Sequence, residues 1–225
     1  MRFLLLDDEK ISRFTLRQVV QTIPGAVVDE AEHAAQARER LAALTAPAVC
    51  IFDVRLPGES GLDLLAWVRA QPRYQAFPVL LYTGYEDEDM RQRAATLHVE
   101  GYLPKPPDQG SAQRISSAAV RLADDLLPGP HALAKRLGVS LARLGSYLDA
   151  LEKQVIELSK TTNDAGSQAA LAKCSQVAKA LGSAYLGKTL ARWQSSAVQD
   201  RQEWIAAAML ALGGMRAVLD EASGS

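Results

Sequence analysis

Five positions carry side chains that could do chemistry together. Asp7 and Asp8 follow directly on the apolar run Leu4–Leu6, with Glu9 next. Adjacent carboxylates repel, and burial raises that cost, so a positive charge is expected beside them. Asp53 ends the run VCIFD, Thr83 ends VLLYT, and Lys105 sits in GYLPKP. Gathered at one edge, they make a pocket of three carboxylates, a hydroxyl and an ammonium. Such a pocket suits a divalent cation with hard oxygen ligands, and Mg²⁺ above all prefers few carboxylates, several waters and a phosphate oxygen. A carboxylate on a buried strand end can act as nucleophile toward a phosphoryl group, and Asp53 is the candidate. A metal held by Asp7 or Asp8 with Asp53 would neutralise charge on the phosphoryl oxygens. Lys105 would contact a second oxygen as a point charge, and the Thr83 hydroxyl would donate to a third.

These residues need a frame that brings distant stretches together. Short apolar runs occur at Arg2–Leu6, Ala26–Asp29, Ala48–Phe52, Pro78–Tyr82 and Gly101–Leu103. Segments of helical spacing separate them, marked by Ile11, Phe14, Leu16 and Val19, by Ala34, Ala37, Leu41 and Leu44, by Leu62, Leu65 and Val68, and by Met90, Ala94 and Leu97. Five strands alternating with helices predict an α/β fold with a five-stranded parallel, doubly wound sheet of flavodoxin-like type. Ligands then bind beyond the C-terminal strand ends, where the five residues fall. A fifth helix is expected over Gln109–Leu127. Pro128-Gly129-Pro130 is the clearest break, which predicts one domain over 1–127 and an all-α domain over 128–225.

The pattern resembles the receiver domain of two-component response regulators over residues 1–125. The resemblance is carried by Asp7-Asp8, by Asp53 with the following VRLPGESGLDLL, by Thr83-Gly84, and by Tyr102 three residues before Lys105-Pro106. It implies phosphoryl transfer to Asp53 from a cognate histidine kinase, a phosphotransfer protein or a small phosphodonor. It also implies Mg²⁺ held by Asp7, Asp8, Asp53 and the backbone carbonyl of Arg55. Thr83 and Tyr102 become the switch residues. Arg55 and Tyr85, each two residues beyond a site residue, are expected to shield the phosphoryl group from water and slow its loss. No turnover is implied beyond self-catalysed phosphorylation and dephosphorylation. A haloacid-dehalogenase-type phosphatase wants a second Asp where Arg55 stands and is set aside.

Simpler readings compete at single positions. Asp53 as a helix N-cap is disfavoured because RLPGES delays the next helix to about Gly61. Pro104 and Pro106 stiffen the loop around Lys105, and a cis Lys105–Pro106 bond is expected. Tyr102 could simply pack in the core. Glu86–Asp89 reads as a solvated first helical turn favoured by the helix dipole. Cys50 reads as a small core hydrophobe, and His33 and His98 as surface or edge residues.

Apolar residues make up 48% of the 225 and charged residues 23%, which fits a globular protein. The net charge of −1 gives no overall pull toward nucleic acid or membrane. Residues 1–110 carry 12 Lys+Arg against 16 Asp+Glu, and the remainder 13 against 10. Two cysteines allow no disulfide framework, which fits a reducing cytoplasm. No stretch reads as a signal peptide or a membrane span.

Beyond Pro130 only helices are expected. Ala132–Glu152 resembles a helix-turn-helix, at about 131–150. Its groove-facing set would be Ser140, Leu141, Ala142, Gly145, Ser146 and Asp149, none of which is a side chain favoured for base readout. The spacing of Leu141, Leu144, Leu148, Leu151, Val155 and Leu158 fits a heptad seam from Ser140 to about Lys160 better. Gly145 within it suggests close helix approach. TNDAGS ends that helix, and Ser167 starts another, striped by Leu171, Cys174, Val177, Ala178 and Leu181. Helices are also expected near Leu186–Trp193 and over Asp200–Asp220. Together they predict a four-helix type of bundle. GSAYLG faintly resembles part of the histidine phosphotransfer motif, but no histidine lies beyond His131. The expected output is a protein-interaction or dimerisation bundle with a downstream protein partner and a possible homodimer. The alternative is a DNA-binding transcriptional regulator.

Overall fold

The computed structural model describes residues 1–84, 88–160, 164–197 and 200–224, the side chains of 164 and 165 excepted. Two compact units divide the chain, Met1–Leu122 and Ala123–Ser225.

In the first unit strands and helices alternate. They are β1 (Arg2–Leu6), α1 (Lys10–Gln21), β2 (Val27–Ala31), α2 (Ala34–Ala42), β3 (Ala48–Asp53), α3 (Gly61–Ala70), β4 (Val79–Thr83), α4 (Glu88–Thr96) and β5 (Gly101–Pro104). Next comes α5 (Ser111–Leu126), within which the division between units falls. The expected domain boundary after residue 127 lies just beyond it. All strand pairs are parallel, in the order β2-β1-β3-β4-β5. Helices therefore cover both faces, and the central strands can be apolar throughout. Phe3, Leu4, Leu5, Leu6, Val49, Ile51, Phe52 and Leu81 are fully buried.

Register aligns the strand ends. Leu6 pairs with Phe52, Asp53 with Tyr82, and Thr83 with Pro104. Asp7, Asp53, Thr83 and Lys105 therefore emerge at one edge. The structure corrects β2, which lies over Val27–Ala31 rather than Ala26–Asp29. Its ladder runs from Arg2↔Val27 to Leu6↔Ala31. Polar Asp29 and Glu30 are tolerated in this edge strand because Arg2 pairs with Asp29 (2.8 Å) and Arg13 with Glu30 (3.2 Å).

The α3 start at Gly61 matches expectation and has a clear cause. Ser60 accepts the Asp63 backbone N–H while the Asp63 carboxylate accepts the Ser60 N–H, a reciprocal capping box.

The second unit holds α6 (Pro130–Leu137), α7 (Leu141–Lys160), α8 (Asp164–Leu181), α9 (Ala184–Ser195) and α10 (Arg201–Ser223). Helix α7 packs on α8 and α10, and α9 packs on the same two, which closes a four-helix ring. Leu144, Leu148, Leu151, Val155 and Leu158 are its buried seam. Gly145, near the start of α7, lies against Leu219, near the end of α10, so these two helices run antiparallel. Ser167 does not start α8, which begins at Asp164; Ser167 is buried inside it. Gly182 and Ser183 of GSAYLG join α8 to α9, and Ser183 caps α9 by accepting the Leu186 N–H at 3.2 Å. That stretch is turn-and-cap chemistry.

Candidate functional site

The fully buried Asp7 sits where β1 hands over to α1. Its Oδ1 accepts the Glu9 backbone N–H at 2.8 Å. Its Oδ2 accepts from Ser12 Oγ at 2.6 Å and from Lys105 Nζ at 2.7 Å. The Asp7 carbonyl accepts from Arg13 Nη1 at 2.7 Å. Arg13 is buried and also ion-paired to Glu32 at 2.6 Å, so it pins the β1–α1 junction to the acids of the β2 end.

Asp53 closes β3 and is 4% exposed. Its Oδ2 accepts from Lys105 Nζ at 2.6 Å, and its Oδ1 from the Arg55 backbone N–H at 3.0 Å. One ammonium thus bridges two buried carboxylates, which supplies the positive charge expected beside Asp7. Lys105 is placed by β5 and held by its own backbone, whose N–H donates to the Thr83 carbonyl at 3.0 Å. The Lys105–Pro106 bond is cis, as expected. Thr83 is buried at the β4 end, and Tyr102 is half-buried on β5. Arg55 is exposed, and Tyr85 lies outside the described residues.

The electrostatics follow from burial and from this bridge. Desolvation pushes the Asp53 carboxyl above the usual carboxylate range, although the Lys105 bond and charge pull the other way. Burial also works against the Lys105 ammonium, but its bonds to Asp53 and Asp7 outweigh it and raise the pKa. The lysine stays charged and Asp53 keeps a relatively basic, nucleophilic oxygen. Asp8 is exposed, and one carboxylate oxygen each of Asp7, Asp8 and Asp53 lie within 4.8 Å of one another. This donor set of hard oxygens, with one acid open to water, fits a small divalent cation.

A family description for the response regulator receiver domain matches residues 3–115. This chain belongs to that family. Its receiver is 31% identical over 106 residues to the chemotaxis protein CheY1 of Helicobacter pylori J99, covering 47% of this chain and 86% of that one. Over 107 residues it is 30% identical to the transcriptional regulatory protein FixJ of Bradyrhizobium diazoefficiens, covering 48% and 49%. The DNA-binding transcriptional regulator NtrC of Escherichia coli K12 is 31% identical over 116 residues, 52% of this chain and 24% of that one. Among solved structures, a response regulator receiver protein from Pseudomonas putida matches at 28% identity and TM-score 0.47, covering 52% of this chain and 94% of that one.

The sequence reading brings Asp7, Asp8, Asp53, Thr83 and Lys105 to this receiver edge, where the structure also places them. It misses Ser12, Arg13 and Tyr82. Ser12 and Arg13 lie on the first turn of α1, where an apolar-periodicity reading passes over polar residues. Tyr82 carries a visible signal, since it is the one aromatic residue in VLLYT and its hydroxyl needs a partner when buried.

Proposed function

We propose that this chain is a phosphorylation-controlled response regulator whose receiver accepts a phosphoryl group on Asp53. The observation that carries the reading is the Lys105 ammonium, held 2.6 Å from Asp53 and 2.7 Å from Asp7 beside the exposed carboxylate of Asp8. In the reaction an Asp53 carboxylate oxygen attacks phosphorus. The new O–P bond forms as the P–N bond of a phosphohistidine, or the P–O bond of an acyl phosphate, breaks. The leaving imidazole or carboxylate departs with that bonding pair. Asp7, Asp8, Asp53 and the Arg55 carbonyl would hold Mg²⁺, which would supply charge neutralisation on the phosphoryl oxygens. Lys105 turns its ammonium from Asp53 to a phosphoryl oxygen, and the Thr83 hydroxyl donates to another. The movement of Thr83 and Tyr102 then biases the α4–β5–α5 face between two states.

The donor is a histidine kinase or a phosphotransfer protein in the cytoplasm. Among the described residues, no helix is long and apolar enough to cross a membrane. The helical unit carries the output through protein contacts, with a downstream partner or a second copy. Support comes from α7, whose 20 residues serve as a wall of a four-helix ring, and from Asp149, which pairs with Arg216 of α10. A base-reading helix needs a free face rich in donors. FixJ is named as a transcriptional regulatory protein and NtrC as a DNA-binding one, but the alignments reach 49% and 24% of their lengths.

Incubation of the full chain with acetyl phosphate and Mg²⁺ tests the reading. The expected result is a single phosphoryl adduct by intact mass, mapped to Asp53 and absent from Asp53→Asn. An unmodified chain, or an adduct elsewhere, would falsify it.

A further inference from the structure

Tyr82 follows the aliphatic run Val79–Leu81 in β4, and it is 1% exposed. A buried tyrosine hydroxyl needs a partner. Its oxygen lies 3.4 Å from Ser12 Oγ, which in turn lies 2.6 Å from Asp7 Oδ2. A serine has one proton to give. The short contact to a carboxylate takes it, so the longer one runs from the Tyr82 hydroxyl to Ser12. The face of the same ring lies beneath Lys105, whose Nζ is 4.8 Å from the ring centroid. That places the ammonium within cation–π range. One buried side chain therefore reaches both groups that flank Asp53: the ammonium through its face, and the Asp7 carboxylate through its hydroxyl and Ser12.

We propose that Ser12 and Tyr82 are positioning residues that hold the Asp7 carboxylate for the cation and the Lys105 ammonium for the phosphoryl oxygens. The inference rests on the phosphoacceptor reading above. Asp7 Oδ2 is shared between Ser12 and Lys105. When the ammonium swings toward a phosphoryl oxygen, Asp7 loses one of its two side-chain donors. Ser12 remains, and it keeps the carboxylate from rotating out of the pocket. The Tyr82 hydroxyl keeps Ser12 in the rotamer that points there. Bonds of this kind, one step behind a metal ligand, orient the ligand and tune its affinity.

The test compares Tyr82→Phe, Ser12→Ala, Ser12→Thr and the double variant Ser12→Ala/Tyr82→Phe in the full chain. Mg²⁺ affinity is measured by calorimetry with no phosphodonor present, and the Mg²⁺ dependence of Asp53 phosphorylation by acetyl phosphate is measured beside it. Tyr82→Phe keeps the ring and its packing, and thermal melts report on folding. Ser12→Ala and Tyr82→Phe are each expected to weaken Mg²⁺ binding about tenfold. Ser12→Thr, which retains a hydroxyl, recovers most of the loss. The double variant is no worse than Ser12→Ala, because the tyrosine acts through the serine. Wild-type affinity in Tyr82→Phe, or losses that multiply in the double variant, would overturn the inference. Failure of the unmutated chain to bind Mg²⁺ or take phosphate would instead remove the reading beneath it.

Discussion

Lys105 is the residue on which the pocket's charge balance turns. It neutralises two buried carboxylates at once, and 20% of its side chain remains open to water. Lys105→Met would leave Asp7 and Asp53 facing each other without a counter-charge, which costs about 2–4 kcal/mol at neutral pH. The pH dependence has a definite sign. Burial raises the Asp53 carboxyl, and Lys105 now restrains that rise. Without the lysine it rises further. A raised folded-state value contributes stability while the group holds its proton, fully below the ordinary carboxylate value of about 4, and loses it as pH climbs through the raised value. The variant should therefore melt close to wild type near pH 4 and fall progressively behind toward pH 8. In the wild type the lysine's own contribution is complete across that window, because its value is raised above 10.5. Thermal melts at intervals from pH 4 to 8 read the difference; a constant gap would contradict the bridge. The chemistry-bearing residues were legible in sequence because each ends a run of a different character. Ser12, Arg13 and Tyr82 were not, because their roles depend on which side of α1 and β4 meets the pocket.

At the scale of elements, the loop between β3 and α3 fixes where Asp53 stands. The Gly61 N–H donates to the Val54 carbonyl at 3.1 Å, and α3 starts directly against the end of β3. A Cβ at Gly61 would lie 2.0 Å from the Asp53 carbonyl oxygen and 2.9 Å from its carbon. Both are backbone atoms and cannot swing aside, so Gly61→Ala must displace the phosphoacceptor itself. The expected cost is about 1–3 kcal/mol in urea unfolding. Misplacement of a reacting group by an ångström is worth up to about 100-fold, so acetyl phosphate modification of Asp53 should slow by about 10- to 100-fold. Gly58, in the same loop, is the control. Its φ of +86° makes alanine strained, but nothing lies within 4 Å of the added carbon. Gly58→Ala should cost stability and leave the phosphorylation rate near wild type. Equal slowing in both would mean that loop disorder, not the Gly61 contact, governs the site. Four of the five strands were placed to within one residue at each end from apolar runs alone. β2 slipped because it is an edge strand whose Asp29 and Glu30 are held by arginines on β1 and α1, a cross-element pairing that no local pattern reveals.

At the scale of the whole molecule, the helical unit is the part least determined by its residue types. A four-helix ring needs only apolar residues at the right spacing. Leu, Ala and Val satisfy that for many partners, so the seam over Leu144–Leu158 predicts the ring and says little about what the ring meets. Its outward surface is more informative. Tyr147 and Gln154 of α7 and Lys173, Gln176 and Val177 of α8 line an open cleft, while Asp149 and Glu152 on α7 are engaged by Arg216. Clefts between bundle helices are common seats for ligands and partners, and engaged acids on α7 leave it poorly suited to a phosphate backbone. The protein-output reading therefore predicts a mass change in light scattering when beryllofluoride and Mg²⁺ are added to the full chain, or a beryllofluoride-dependent complex with a defined partner, and no retardation of genomic DNA fragments at physiological salt under either condition. Val177→Glu, which puts a charge in the cleft and stays clear of the fully buried positions of α8, should abolish the mass change or the complex and leave Asp53 phosphorylation intact. Salt-dependent retardation of specific fragments, enhanced by beryllofluoride and untouched by Val177→Glu, would instead make the helical unit a DNA reader.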